Sequence, residues 1–157
     1  MAPATQHQLI VRRDAAQAVV DAHRNQPFAW GVRDCGRSIV APILRAMGHK
    51  CPLAPFGKYS TELGALKALK RNGYASMEDF LDKRPLLEIP PAAALIADLV
   101  GLETPGFAWL CIGAVLGNGR VFAFMRPAEG LEPLGLVVQP ERRFIKRAWR
   151  VPVAPKA

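Results

Sequence analysis

Phe28-Ala29-Trp30-Gly31-Val32-Arg33-Asp34-Cys35 is the stretch whose reading decides the fold. It reads as an extended aromatic approach, then a helix-capping aspartate, then a thiol in the first turn of a helix. Aspartate suits the cap because its carboxylate accepts from amides that the first turn leaves unpaired. A thiol placed next meets the positive end of the helix dipole and free backbone amides, and both favour a thiolate. Nucleophilic cysteines of papain-like enzymes are built this way. A small residue buried at a helix start satisfies the same pattern, because free cysteine is among the most buried residue types.

Upstream of this stretch, residues 5–25 are expected to form a helix, with Leu9, Ala16, Val19, Val20 and Ala22 as a partial apolar stripe. Asn25-Gln26-Pro27 closes it. Downstream, Asp34 opens a helix that runs to about Met47 and stops at Gly48. Pro42 lies inside that helix and should kink it, since the ring clashes with the preceding turn. Ser60 or Thr61 opens a third helix with Leu63, Leu66 and Leu69 facing inward and Asn72-Gly73 at its end. Ser76-Met77-Glu78-Asp79 has the form of a capping box and opens a short fourth helix.

From Ala97 on the pattern becomes strand-like. Strands are expected over 98–103, 109–116, 120–125, 131–138 and 146–153. Gly117-Asn118-Gly119 joins the second to the third as a hairpin, because these residues tolerate positive φ. Helices followed by about five antiparallel strands make an α+β fold. The expected organisation is one domain over residues 1–157: an N-terminal helix in 1–26, a helical half in 27–96 and a sheet half in 97–153. A chain of 157 residues suits a single domain and buries about 70% of its unfolded surface, so it needs no staples.

Composition excludes several classes. With 50% hydrophobic and 22% charged residues, the chain is neither a disordered tail, a coiled coil nor a collagen-like fibre. The longest uncharged apolar stretch, 89–97, is broken by Pro90 and Pro91, far short of the roughly 20 residues of a membrane helix. Arg12, Arg13 and Asp14 interrupt any apolar segment of a signal sequence, so synthesis and folding in the cytosol are expected. Lys and Arg number 21 against 13 Asp and Glu, a net charge of +8 that attracts anionic partners. Five of these cations, Arg142, Arg143, Lys146, Arg147 and Arg150, cluster near the end. Apolar residues alternate loosely with them, which suits a basic-faced strand better than a nucleic-acid arm. The three cysteines, Cys35, Cys51 and Cys111, form no Cys-x-x-Cys pair and no zinc-ligand spacing. Neither a metal nor a cofactor is expected.

The motif Trp30-Gly31-x-x-Asp34-Cys35 leading into a helix resembles the NlpC-type murein peptidases, small papain-like cysteine hydrolases. Ala97-Asp98-Leu99-Val100 is similar to that family's Gly-Asp-Leu-Val strand. The run from Cys111 through Gly113-Ala114-Val115 to Gly117-Asn118-Gly119-Arg120-Val121 is similar to its His-Val-Gly-Ile-Tyr-x-Gly-x-Gly-Arg-Val hairpin. Over residues 27–151 the chain more closely resembles small proteins encoded among phage and prophage tail genes, distant relatives of NlpC. That pattern includes Phe28-Ala29-Trp30-Gly31, Tyr59-Ser60-Thr61-Glu62, Gly64-Ala65-Leu66, Gly130-Leu131 and Ala148-Trp149-Arg150-Val151. The resemblance implies an NlpC-like fold, a place in a phage tail among tail-tip or hub proteins, and residence in the virion or the host cytoplasm.

The resemblance also assigns roles. Cys35 stands at the nucleophile, and Cys111 stands where the hydrolases carry the general-base histidine; in an active hydrolase the helix cap Asp34, or Arg33, would tune the thiolate. A cysteine nucleophile needs a base within hydrogen-bond reach. No histidine follows His49; His7 is near a terminus, and His23 and His49 read as solvated surface residues. The nucleophile is kept and the base is lost, so a degenerate hydrolase serving as a structural or adaptor subunit is the expectation. Cys35 and Cys111 should then face each other. An active peptidoglycan hydrolase using Cys35 and a basic nucleic-acid-binding protein remain alternatives. Trp30, Trp109 and Trp149 read as core packing or as the lining of a glycan groove. Tyr59 reads as a ligand contact or as the entry to the third helix.

Overall fold

The computed structural model describes residues 2–106 and 109–155. Its helices are α1 (Ala2–His23), α2 (Ala41–Ala46), α3 (Glu62–Arg71) and α4 (Met77–Asp82). Its strands are β1 (Leu87–Ile89), β2 (Leu99–Leu102), β3 (Cys111–Gly117), β4 (Arg120–Met125), β5 (Leu134–Val138) and β6 (Ile145–Arg150). The α+β class holds, with helices first and an antiparallel sheet after them.

Local chemistry places most of these ends. The Asp34 carboxylate accepts the Arg37 N–H at 2.9 Å and so caps the helix expected there. That helix is not regular. Gly36–Val40 is a π-helical turn in which the Ala41 N–H reaches back to the Gly36 carbonyl. Pro42 follows at the start of α2. Proline has no N–H, and its ring collides with the carbonyl four residues back. Widening the turn by one residue accommodates both defects, and this is the form the expected kink takes. Thr61 caps α3 through the Gly64 N–H, and Ser76 caps α4 through the Asp79 N–H. The reciprocal bond of the expected capping box lands one residue early, from the Ala75 N–H to Asp79.

Three expectations are corrected. Leu63 is 59% exposed rather than inward; α3 buries Ala65, Ala68 and Leu69 instead. Two residues turn a helix by about 200°, so Leu63 cannot share the face of Ala65. The stretch 28–34 is not simply extended, because Gly31 takes φ +77° in a tight turn closed by an Ala29–Arg33 bridge. Among the described residues the sheet has six strands, in the order β1-β6-β2-β3-β4-β5. The sixth is β1, which pairs with β6 through Leu87–Arg150 and Ile89–Ala148. Three exposed or half-buried residues between prolines present no alternation that would mark a strand.

Strand alternation divides the core. Leu99, Ile112, Ala114, Phe122, Phe124 and Trp149 join the large cluster that also holds Val19, Ile39, Ile43, Leu44 and Leu81 from the helices. Val100, Leu102, Cys111, Val115, Val121 and Ala123 form a smaller second cluster. The end of α1 lies against edge strand β5 so closely that a Cβ on Gly135 would sit 2.2 Å from the His23 carbonyl oxygen.

One feature of the core is charged. Asp98 is fully buried and its carboxylate accepts four bonds. Arg12 donates at 3.0 Å, Arg150 at 2.7 Å, the Val151 N–H at 3.0 Å and the Leu95 N–H at 2.8 Å. Arg12 also donates to the carbonyls of Ile96 and Val151. Helix α1 is thus tied to the head of β2 and the end of β6 by a desolvated guanidinium. Among the described residues no helix is long and apolar enough to cross a membrane.

Candidate functional site

Cys35 stands immediately before the π-helical turn, and this turn lies against β3, whose first residue is Cys111. Cys35 packs against both hydrophobic clusters, and the second contains Cys111. The two thiols are neighbours, and neither is bonded as a disulfide. The Cys111 thiol is buried and donates to the Phe124 carbonyl at 3.6 Å. Its hydrogen bond with Cys35, its burial and the Cys35 charge together push its pKa well above the usual thiol value. The structure thus brings Cys35 and Cys111 into one neighbourhood, where the turn packs on β3.

A narrow cleft of about 50 Å³ opens over Cys35. Val40, Leu53, Phe56, Leu69, Met77 and Phe80 make its wall apolar, and Cys51 contributes a second thiol. Burial raises the pKa of Cys51. Trp30 and Trp109 stand at the cleft in an edge-to-face pair, with ring centroids 5.9 Å apart. The three tryptophans therefore divide. Trp149 is fully buried and donates to Asp82, while Trp30 and Trp109 are half-buried cleft residues. The loop carrying Trp109 is held by Glu78, which accepts the Leu110 N–H at 2.8 Å.

Asp34 organises the other side. One oxygen caps the helix, and the other accepts the Gly31 N–H at 2.9 Å and the Tyr59 hydroxyl at 2.7 Å. Tyr59 is therefore a structural partner of the motif, 25 residues away in sequence. Burial, the Asp34 charge and this hydrogen bond raise its pKa strongly. Arg37 stacks over the Tyr59 ring at 5.1 Å and donates to the Gly57 carbonyl. Its Nε is buried with no hydrogen-bond partner. No local signal in the sequence marks Tyr59 or Arg37 for these places, because both depend on a loop returning from far along the chain.

The histidines lie elsewhere, and none lines the cleft. His23 is not the solvated residue expected; it is half-buried with its ring 6.4 Å from that of Phe124. Burial and the nearby Arg33 lower its pKa. His49 is half-buried and bonds the Pro152 carbonyl at 2.6 Å, tying the end of α2 to the C-terminal segment. Among the described residues no group of three or more His, Cys, Asp or Glu is placed to hold a metal ion.

The basic cluster near the end is largely neutralised. Arg143 pairs with Glu141, Lys146 with Glu103, Arg147 with both Asp82 and Glu88, and Arg150 with Asp98.

No curated protein and no solved structure matches the chain. One family model does, over residues 9–151, a span that takes in the cleft, both neighbouring thiols and the buried Asp98 centre. The chain belongs to that family, described as a domain of unknown function, DUF6950.

Proposed function

We propose that this protein is a phage tail subunit, acting at the tail tip or in its assembly. In this reading it is built on an NlpC-like fold that no longer hydrolyses peptide bonds. The observation that carries the loss of catalysis is the partner of Cys35. That partner is the thiol of Cys111, whose pKa is raised, and the cleft holds no imidazole. A thiol that keeps its own proton does not take one from a neighbour, so general-base activation of Cys35 is missing. The tail assignment is supported by the ordered resemblance over residues 27–151. The paired C-terminal cations support it over the nucleic-acid alternative.

The test is mass spectrometry of purified virions and of tail-assembly intermediates, together with a Cys35→Ala phage. The chain is expected in one of these fractions, and the Cys35→Ala phage should plate as the wild type does. Absence from both fractions overturns the tail role. Cleavage of purified peptidoglycan by the wild-type protein, lost in Cys35→Ala, overturns the loss of catalysis.

A further inference from the structure

We propose that Cys35 and Cys111 form a peroxide-responsive dithiol, which oxidation converts into an intramolecular disulfide linking the start of the π-helical turn to the start of β3. This proposal stands apart from the tail reading, since it needs only the geometry of the two thiols.

The two side chains are asymmetric in the way such a pair requires. Cys35 is half-buried and opens on the cleft, so a small oxidant reaches it. Cys111 is 5% exposed and lies behind it in the second cluster. The first thiol can therefore meet peroxide from the solvent side, and the second is placed to resolve the product. Cys51 also lines the cleft, but its side chain is 4% exposed and belongs to the large cluster.

The chemistry balances with hydrogen peroxide as the oxidant. The Cys35 sulfur, having lost its proton, attacks one peroxide oxygen. The O–O bond breaks, a sulfenic acid forms, and the departing hydroxide takes up that proton as water. The Cys111 sulfur then attacks the sulfenic sulfur. The S–S bond forms, the S–O bond breaks, and the Cys111 proton leaves with the hydroxide as a second water. The two thiols lose two electrons in all, and the peroxide gains them. The closeness of the two side chains before oxidation lets the second step outrun further oxidation of Cys35.

A disulfide here would fasten the loop of Trp30 to the strand that follows Trp109, across the mouth of the cleft. Oxidation should thus remove the cleft's only half-exposed thiol and stiffen its aromatic rim.

The experiment treats the full-length native protein with hydrogen peroxide, alkylates residual thiols and maps them by mass spectrometry. Before alkylation the expected product is lighter by two hydrogen atoms; after it, Cys35 and Cys111 are joined in one cross-linked peptide and Cys51 is alkylated. In Cys111→Ser, Cys35 should instead accumulate as sulfenic acid, trapped by dimedone, or as sulfinic acid. In Cys51→Ser the disulfide should form as in the wild type, which keeps the test open if the Cys111 variant does not fold. Wild-type Cys35 gaining oxygen atoms without cross-linking overturns the proposal, and so does a Cys35–Cys51 bond.

Discussion

Replacing Asp98 with asparagine tests whether the buried charged centre holds the helical layer to the sheet. The carboxylate has no exposed surface and accepts four hydrogen bonds, two from guanidinium groups and two from backbone amides. Asparagine keeps one acceptor oxygen and turns the other into a donor. Either orientation sets an amide NH₂ against two existing donors. Arg12 has a side chain only 7% exposed and cannot regain water, whereas Arg150 is 30% exposed and can. The retained oxygen therefore turns to Arg12 and Val151, and the loss falls on Arg150 and the Leu95 amide. Breaking a buried ion pair by removing one partner costs about 3–5 kcal/mol. Asparagine belongs near about 3 kcal/mol, and Asp98→Ala, which strands the Arg12 cation, near about 5 kcal/mol. At about 2–4 °C per kcal/mol for a chain of this size, Tm should fall by about 6–12 °C for asparagine and about 10–20 °C for alanine. Urea unfolding followed by circular dichroism should show a lower midpoint with an unchanged slope. Arg12→Met should cost less than Asp98→Ala, since it removes the buried cation and leaves Asp98 with Arg150 and both amides. An Asp98→Asn variant within about 1 kcal/mol of wild type would refute the reasoning, as would Arg12→Met proving the more damaging.

Gly31→Ala places a Cβ 1.8 Å from the Tyr59 carbonyl oxygen at a residue with φ +77°. The added Cβ meets a backbone carbonyl, so the Tyr59 loop must move, at a cost above the roughly 1–3 kcal/mol of ordinary overpacking. Thermal melts and faster iodoacetamide labelling of Cys35 should both report the displaced cleft wall, and an unchanged Tm and labelling rate would contradict it. His23 has a folded-state pKa lowered from 6.5 by burial and by Arg33. Below about pH 6.5 the unfolded chain therefore binds more protons at this residue, and stability is lost as pH falls through the folded value. His23→Gln should flatten that part of a stability–pH curve, and a curve parallel to wild type would count against the assignment. Arg147 stacks over Trp149 at 4.7 Å and holds Asp82 and Glu88, which lowers both carboxyl pKa values. Stability from these carboxylates is present above the ordinary carboxylate range and lost as pH falls through the lowered values. Arg147→Met should destabilise by roughly 1 kcal/mol at low salt and less at high salt, checked by urea midpoints at two ionic strengths.

The chain's own order carried a good deal of this. Asp34, Thr61 and Ser76 each cap the helix expected after them, because capping is settled by amides three residues away. Gly117-Asn118-Gly119 makes the turn between β3 and β4, with Asn118 at φ +52° and both glycines also positive, because hairpin geometry depends on a few adjacent dihedrals. The helix-then-sheet order and the thiol at the helix start followed from the same short-range rules. The meeting of Cys35 and Cys111 depends on the packing of the π-helical turn on β3, which no short-range rule supplies.

What only the tertiary structure decided involves partners distant in sequence. In sequence Arg12 only interrupts an apolar segment; 86 residues later Asp98 makes it part of the core. Tyr59 reads in sequence as a ligand contact or a helix entry until its hydroxyl reaches Asp34. β1 has no strand pattern of its own and exists because the edge of β6 supplies its hydrogen bonds. Capping, turns and helical period act within a few residues and can be read along the chain. A buried ion pair, an edge strand and a cleft wall arise only when distant segments exclude water together, and their energies belong to the pair rather than to either residue.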